Sequence, residues 1–350
     1  MAGGQWDPTS IPTRPGLYIN FVTAAAAQIK GGARGTVAIP LKACAGGTAA
    51  AKQFYTVTTE ADATTLFGAA NIASIKYALQ GGAKEVLVYT LPASAVTADY
   101  ADMRIAFDTR PFNVFAFDGE VAAAEQDAVK TWVAANRADG KHFMAVFGAS
   151  VAADDATPAT GDARSVRVSD DYIVNLTVGG VINGTAVSSG KYAAWVAGLI
   201  AGTAINASIT YALAPVDDVN KRLTNAEIKT ALGKGSLVLV NDGEKIKVEQ
   251  GVVTSGKKIR QIRARQAVAT DITKTAADAY IGKINNNEDG QAALIVAIKA
   301  YLETLETSNV LANPTVQLDP QRSSVGDTVY LLIGYVEVDS MERILITVNI

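Results

Sequence analysis

From residue 85 onward the apolar positions fall in short unbroken runs separated by longer amphipathic stretches. Glu85–Leu91 (EVLVYTL), Phe112–Phe117 (FNVFAF) and His142–Phe147 (HFMAVF) predict strands buried on both faces. The stretches between them, from Thr97 to Phe107 (ended by Pro111) and Val121–Arg137, predict helices. Such alternation builds βαβ units and a mainly parallel sheet. Upstream, Leu17–Val22 and Gly35–Leu41 (GTVAIPL) read as strands. Glu60–Phe67 and Asn71–Gln80 read as helices, the second stopped by Gly81-Gly82. Downstream, Asp154–Asp162 (DDATPATGD) reads as a loop, Asp171–Val178 as a further strand, and Lys191–Ala201 as an apolar helix of small residues.

The second half reads differently. Thr224–Leu232 opens with Thr224 and Glu227 at capping-box spacing, where hydroxyl and carboxylate satisfy the first free amides. Ser236–Val240 and Lys245–Glu249 flank Asn241-Asp242-Gly243, a hairpin turn signal. Lys257–Ile281 is mixed and helical in its second half. Gln291–Leu305 carries Leu294, Ile298, Tyr301, Leu302 and Leu305 at helical spacing. Thr315–Leu318, Thr328–Val338 and Arg343–Ile350 are strand-like. In the last of these Ile344, Ile346, Val348 and Ile350 fall on one face, and Arg343, Leu345, Thr347 and Asn349 on the other. An apolar strand at the chain's end is expected to find burial somewhere. The first sixteen residues hold Pro8, Pro12 and Pro15 and read as an extended arm.

Composition narrows the functional classes. Half of the 350 residues are apolar and the net charge is −3, so no overall basic field exists to hold nucleic acid. The single cysteine, Cys44, excludes an intrachain disulfide and fits folding in a reducing cytoplasm. No secretory signal and no membrane span are expected.

Candidate chemistry is sparse. His142, the only histidine, lies at a strand start without a G-x-S-x-G elbow. Gly31–Gly35 and Gly233–Ser236 lack the spacing of a phosphate loop. Asn285-x-Asn287-x-Asp289-Gly290 matches the front of a calcium loop, but Val296 stands where the bidentate Glu is needed; a helix-capping loop is the simpler reading. The adjacent pairs Asp154-Asp155, Asp170-Asp171 and Asp217-Asp218 point apart and form no carboxylate dyad. Lys257–Arg265 is the one basic cluster. It reads as a solvated face or a patch for an acidic protein partner, because it lacks aromatics for base stacking. No metal, cofactor or catalytic residue is expected.

Several segments together resemble the tail-sheath proteins of contractile phage tails and phage-tail-like bacteriocins of Gram-positive type. They are Met1–Trp6; Arg14-Pro15-Gly16-Leu17-Tyr18-Ile19-Asn20-Phe21; Gly35–Pro40; Tyr192–Thr203 followed by Asn206–Tyr211; Leu223-Thr224 with Glu227-Ile228; Gly235–Val240; Val248–Thr254; Gly282–Asn286; and Met341–Ile344. Val253 stands where that pattern more usually has Asn. The resemblance spans nearly the whole chain, in order, and is weakest over about 91–189.

The resemblance implies an α/β protein with an α+β core domain built from both chain ends. It implies an N-terminal arm (1–22), a first core part (23–92), an inserted α/β domain (93–189), a second core part (190–338) and a C-terminal β-arm (339–350). It also implies a structural subunit that polymerises as stacked rings or a helix around an inner tube. Contraction of the polymer drives the tube through a target envelope. The implied partners are further copies of itself, the tube protein, and baseplate and terminator proteins, with no direct contact to nucleic acid or membrane. The subunit would be made in the bacterial cytoplasm. The implied intersubunit residues are Leu17, Tyr18, Ile19, Asn20, Phe21 and Val22, with Arg343, Ile344, Leu345, Ile346, Thr347, Val348, Asn349 and Ile350. These arms add strands to neighbours' sheets. Arg263, Arg265 and Lys283 are the candidate tube-facing residues. Two other readings remain open: a soluble α/β enzyme with a Rossmann-like sheet, or another self-assembling shell protein.

Overall fold

A computed structural model describes residues 34–42, 44–156 and 158–349, with Gly3-Gly4, Leu17-Tyr18 and Ile29. Among these, β1 (Gly3–Gly4) pairs in parallel with β2 (Leu17–Tyr18). The remainder of the expected Leu17–Val22 strand lies outside the described residues. The principal sheet follows. Its elements in chain order are β3 (Thr36–Leu41), β4 (Phe54–Val57), α1 (Glu60–Phe67), α2 (Ala73–Gly81), β5 (Glu85–Thr90), α3 (Thr97–Asp108), β6 (Val114–Ala116), α4 (Ala123–Ala138), β7 (Met144–Phe147), α5 (Val151–Ala156), α6 (Pro158–Arg167) and β8 (Ile173–Leu176). Then come β9 (Gly180–Ile182), β10 (Thr185–Val187), α7 (Ser189–Gly202), β11 (Asp218–Val219), α8 (Asn225–Gly233), β12 (Ser236–Leu237), β13 (Leu239–Asn241) and β14 (Ile246–Val248).

Seven strands make one sheet in the order β12-β8-β7-β6-β3-β5-β4, parallel throughout except for the edge strand β4. Its strands are apolar on both faces because both faces are covered. Strand order reverses at β3. Right-handed crossovers then put α2 on one face and α3, α4 and α6 on the other. On the α3/α4 side, Phe107, Phe112, Phe115, Trp132 and Phe143 form a chain of ring contacts. On the α2 side, α7 lies across the central strands and against α2. This last contact is backbone on backbone: a Cβ at Gly198 would lie 2.0 Å from the Ala78 carbonyl oxygen. The small residues of α7 permit that approach.

One expectation is corrected here. Residues 154–156 and 158–162 are not a loop; they belong to α5 and α6. Polar side chains of α6 are partly internal. Arg164 Nε donates to Asn175 Oδ1 at 2.5 Å, Ser236 Oγ donates to Asp162 Oδ1 at 2.7 Å, and Asn175 Nδ2 donates to Ser165 Oγ at 2.6 Å. The network joins α6 to β8 and β12. β3 and β5 lie in one sheet with β6, β7, β8 and β12, so strands from either side of residues 92/93 and 189/190 share it. Residues 93–189 do not close a sheet of their own.

The structural break comes later. α9 (Ile259–Thr275), α10 (Glu288–Thr307), β15 (Leu311–Leu318) and β16 (Leu331–Glu337) surround a second, smaller core of Ala264, Val268, Ile298, Tyr301, Leu302 and Leu311. β15 and β16 pair antiparallel from Leu311↔Glu337 to Leu318↔Leu331 and form a two-stranded sheet. Helix α9 occupies nearly the whole of the stretch read as mixed. A single π-helical turn, Ala276–Tyr280, follows it.

Candidate functional site: an assembly surface

The enzyme reading requires a furnished crevice at the carboxyl ends of the strands, where the order reverses. In this fold that point lies between β3 and β6, where the polar groups are bonded to one another. Lys42 N donates to Asp118 Oδ2 at 3.0 Å, Ser74 Oγ donates to Asp118 Oδ1 at 2.7 Å, and Lys42 Nζ donates to the Glu120 carbonyl at 2.7 Å. A cavity of about 300 Å³, lined by Arg34, His142, Arg263, Gln266, Asp271 and Lys274 among others, sits at the amino ends of the strands, and its Arg34, Arg263 and Asp271 are engaged. A second, more open cavity of about 540 Å³ lies past the carboxyl ends of β6 and β7, lined by Glu120, Gln126, Gly148, Ser150, Arg164 and Arg167 among others, and its two arginines are bonded to Asn175, Gln126 and Asp127. Arg34 Nη2 donates to Asp271 Oδ2 at 2.6 Å, and Tyr301 Oη donates to the same carboxylate. His142 Nδ1 lies 3.1 Å from Tyr172 Oη, and burial followed by the charge of Arg137 pushes its pKa down. Burial, then the charge of Asp118, raises the Cys44 pKa, which disfavours the thiolate. Among the described residues no group of three or more His, Cys, Asp or Glu side chains is arranged for a metal. None of the described helices is long and apolar enough to cross a membrane. Asn287 caps α10 through its side chain, accepting from Gly290 N at 2.9 Å.

Most of the large apolar side chains that remain exposed lie in the second core unit and beyond it. The face of the hairpin away from the core shows Leu332 and Val336, 48% and 59% exposed. Among the described residues each of its two strands has an unpaired edge. After β16 the chain is tacked down as far as Glu342. Val338 N donates to the Val310 carbonyl at 3.2 Å, and Arg260 Nη1 donates to Ser340 Oγ at 2.9 Å. The Glu342 carboxylate accepts from Thr210 Oγ1 and Gln250 Nε2, each at 2.7 Å, and from Lys258 Nζ. Beyond it the contacts stop. Residues 343–349 have neither a strand partner nor a hydrogen bond among the described residues, and Ile344, Leu345, Ile346 and Val348 are 68–95% exposed. Leu345 and Ile346 are adjacent, and both are bare. Ile350 lies outside the described residues, as do Ile19–Val22 of the other arm; the side chains of Leu17 and Tyr18 do too.

The basic run is corrected as well. Its side chains do not form one solvated face. Arg263 is 6% exposed and donates to the Thr203 and Ala204 carbonyls past the end of α7. Burial, then the neighbouring charge of Arg34, lowers its pKa to about 10, so it stays charged at neutral pH. Arg260 is also buried and donates to the Asn309 carbonyl at 2.8 Å. Arg265 is half exposed and ion-pairs with Glu337 of β16. Lys283 is exposed and donates to the Asp278 carbonyl. The residue that sequence reasoning passed over is Glu342. It was visible only as one letter of a motif, because its partners at 210, 250 and 258 are far away in the chain.

An α/β body joined to a small unit with open strand edges and a bare apolar arm has the make-up of a structural protein that assembles with others. Residues 93–254 match the family described as the phage tail sheath protein central domain, and residues 254–350 match the phage tail sheath C-terminal domain. The chain belongs to the phage tail sheath family, and it is a sheath structural protein and not an enzyme. The junction between the two matches, residue 254, falls just before α9, where the second core begins. The tail sheath protein of Clostridium phage phiCD119 is 25% identical over 325 residues, covering 87% of this chain and 84% of that one. The fold is shared with the sheath tail protein from Desulfitobacterium hafniense (TM-score 0.72, 19% identity, 92% of this chain and 100% of that one). It is shared too with a chain of the anti-feeding prophage helical sheath in its contracted state (TM-score 0.73, 17% identity, 97% and 99%).

Proposed function

We propose that copies of this chain polymerise, as stacked rings or a helix, around an inner tail tube, and that collective repacking drives the tube through a target envelope. The observation that carries this reading is the bare Arg343–Asn349 segment beside a two-stranded sheet with open edges. An unpaired apolar strand and an unpaired sheet edge are complementary: backbone amides and carbonyls on each lack partners, and joining them covers apolar side chains. Arg343–Ile350 would add to the β15–β16 sheet of a neighbour, and Leu17–Val22 would do the same from the other end. The energy for repacking would come from subunit contacts, in keeping with a strand crossover point whose polar groups are bonded to one another. A baseplate partner is supported by the likeness to a chain of the anti-feeding prophage baseplate (TM-score 0.73). Tube and terminator proteins would complete the set. Arg265 of the basic cluster and Lys283 in the loop before α10 would serve a tube contact, through unlike charge. The finished subunit would leave the cytoplasm as part of a tail or tail-like particle.

Electron microscopy of the purified chain tests the proposal. Hollow tubular polymers are expected. Flat sheets, or a protein that stays unpolymerised at high concentration with the tube protein present, would overturn it.

A further inference from the structure

We infer that Glu342 is the fixed pivot of the C-terminal arm: its carboxylate is held in a socket of donors from three distant segments, which sets the direction in which Arg343–Ile350 leaves the subunit. This rests on the reading that the arm is exchanged between subunits. The argument starts from contrast along the chain. The Glu342 side chain is 9% exposed, while Leu345, three residues on, is 95% exposed.

The socket is built in depth. Thr210 Oγ1 and Ser208 Oγ reach one carboxylate oxygen, at 2.7 and 3.4 Å; Gln250 Nε2 and Lys258 Nζ reach the other. Its parts are themselves fixed. Gly251 N donates to Thr210 Oγ1 at 3.0 Å, and Thr210 N donates to Ser208 Oγ at 3.1 Å. Lys258 is the N-cap residue of α9, so the cation is placed by the helix that organises the second core. Burying a carboxylate is unfavourable unless it is paired and hydrogen-bonded, so such a socket admits this side chain in few orientations. Two of the donor segments, Asn206–Tyr211 and Val248–Thr254, and the arm's root, Met341–Ile344, are separate pieces of the sequence resemblance. Their common purpose is visible only in three dimensions.

A pivot matters because an arm that leaves in one direction presents its edge to a neighbour without searching. If only about one in ten of a freed arm's directions is productive, apparent affinity falls about tenfold. Replacing Glu342 therefore leaves the arm's sequence intact and removes its aim.

The test uses the full chain with Cys44→Ser, carrying spin labels at Ile346→Cys on the arm and Val166→Cys on α6, both exposed positions. Distances are measured on dilute, unassembled subunits. A narrow distribution is expected with Glu342 present. Glu342→Ala and Lys258→Ala should broaden it, with Glu342→Gln intermediate, while circular dichroism stays unchanged. The concentration needed for polymers should rise about tenfold for Glu342→Ala. A distribution already broad with Glu342 present, or equally narrow in Glu342→Ala, overturns the pivot. Broadening without any change in polymer formation overturns its role in assembly. Polymers formed at the normal concentration after deletion of 343–350 would instead bring down the arm-exchange reading, leaving the pivot to be judged on the distances alone.

Discussion

Asp162 shows what one buried charge does to this fold. It is 7% exposed on α6, and burial raises its carboxyl pKa against the lowering effects of Ser236, Lys234 and Arg164. An acid whose folded pKa is raised holds its proton more readily in the folded state. Its contribution to stability is most favourable at low pH and is lost as pH rises through the folded pKa. At neutral pH the carboxylate is thus a net cost, and Asp162→Asn keeps an acceptor for Ser236 while removing the charge. The variant is expected to melt a few degrees higher at pH 7, on the scale of about 2–4 °C per kcal/mol for a domain of this size class. The gain should shrink toward pH 4. Calorimetry at both pH values checks it; a lower melting temperature at pH 7 would mean that attraction to Lys234 and Arg164 outweighs burial. The same network explains why residues 154–162 read as a loop. Clustered Asp, Thr, Pro and Gly resemble loop chemistry, and their helical state rests on partners near residues 175 and 236 that local pattern cannot display.

At the scale of elements, what the pattern revealed was what is stabilised locally. Apolar runs flanked by amphipathic helices gave β5, α3, β6, α4 and β7 within a few residues, because each strand is buried on both faces and each helix on one. The Thr224–Glu227 box caps α8 as its spacing required, with Thr224 N donating to Glu227 Oε2 at 2.7 Å. The basic start of α9 was illegible for the opposite reason. Arg260 and Arg263 look solvated by type, but helix C-termini and loops elsewhere supply carbonyls that let them be buried. The α2–α7 contact offers a sharp test. Gly198→Ala must push a Cβ into the Ala78 carbonyl, with Gly81 and Gly202 leaving equally little room, so a loss of about 1–3 kcal/mol is expected. Gly233→Ala on α8 meets nothing within 4 Å and should be neutral or stabilising by about 0.5–1 kcal/mol. Urea unfolding of the two variants measures both; equal effects would show that close helix approach is not what α7's small residues supply.

For the whole molecule, the question is why an apolar segment is left bare when the chain has two cores to bury it in. Geometry answers part of it. The principal sheet ends in β12 at one edge and in the antiparallel strand β4 at the other, while Glu342 holds the arm's root against Thr210, Gln250 and Lys258. The arm is therefore aimed outward by the fold. Deleting Arg343–Ile350 is accordingly expected to leave a folded monomer with an unchanged melting temperature, within about 1 °C, because the removed residues make no hydrogen bonds among those described. The same deletion should abolish polymer formation. Docked on a neighbour, eight residues could make about four backbone hydrogen bonds at about 1 kcal/mol each. They could also bury four branched side chains at about 1.5–3 kcal/mol each. Ordering a free arm costs about 1–2 kcal/mol per residue, which nearly cancels that gain. A single arm is thus only modestly stabilising, and an arm already extended and aimed retains more of its binding energy. Every subunit repeats the contact, so its loss multiplies through the polymer. Sedimentation with electron microscopy decides the matter: a deleted chain that unfolds would mean that the arm belongs to its own core, and one that still forms tubes would mean that the shared sheet is not what joins the subunits.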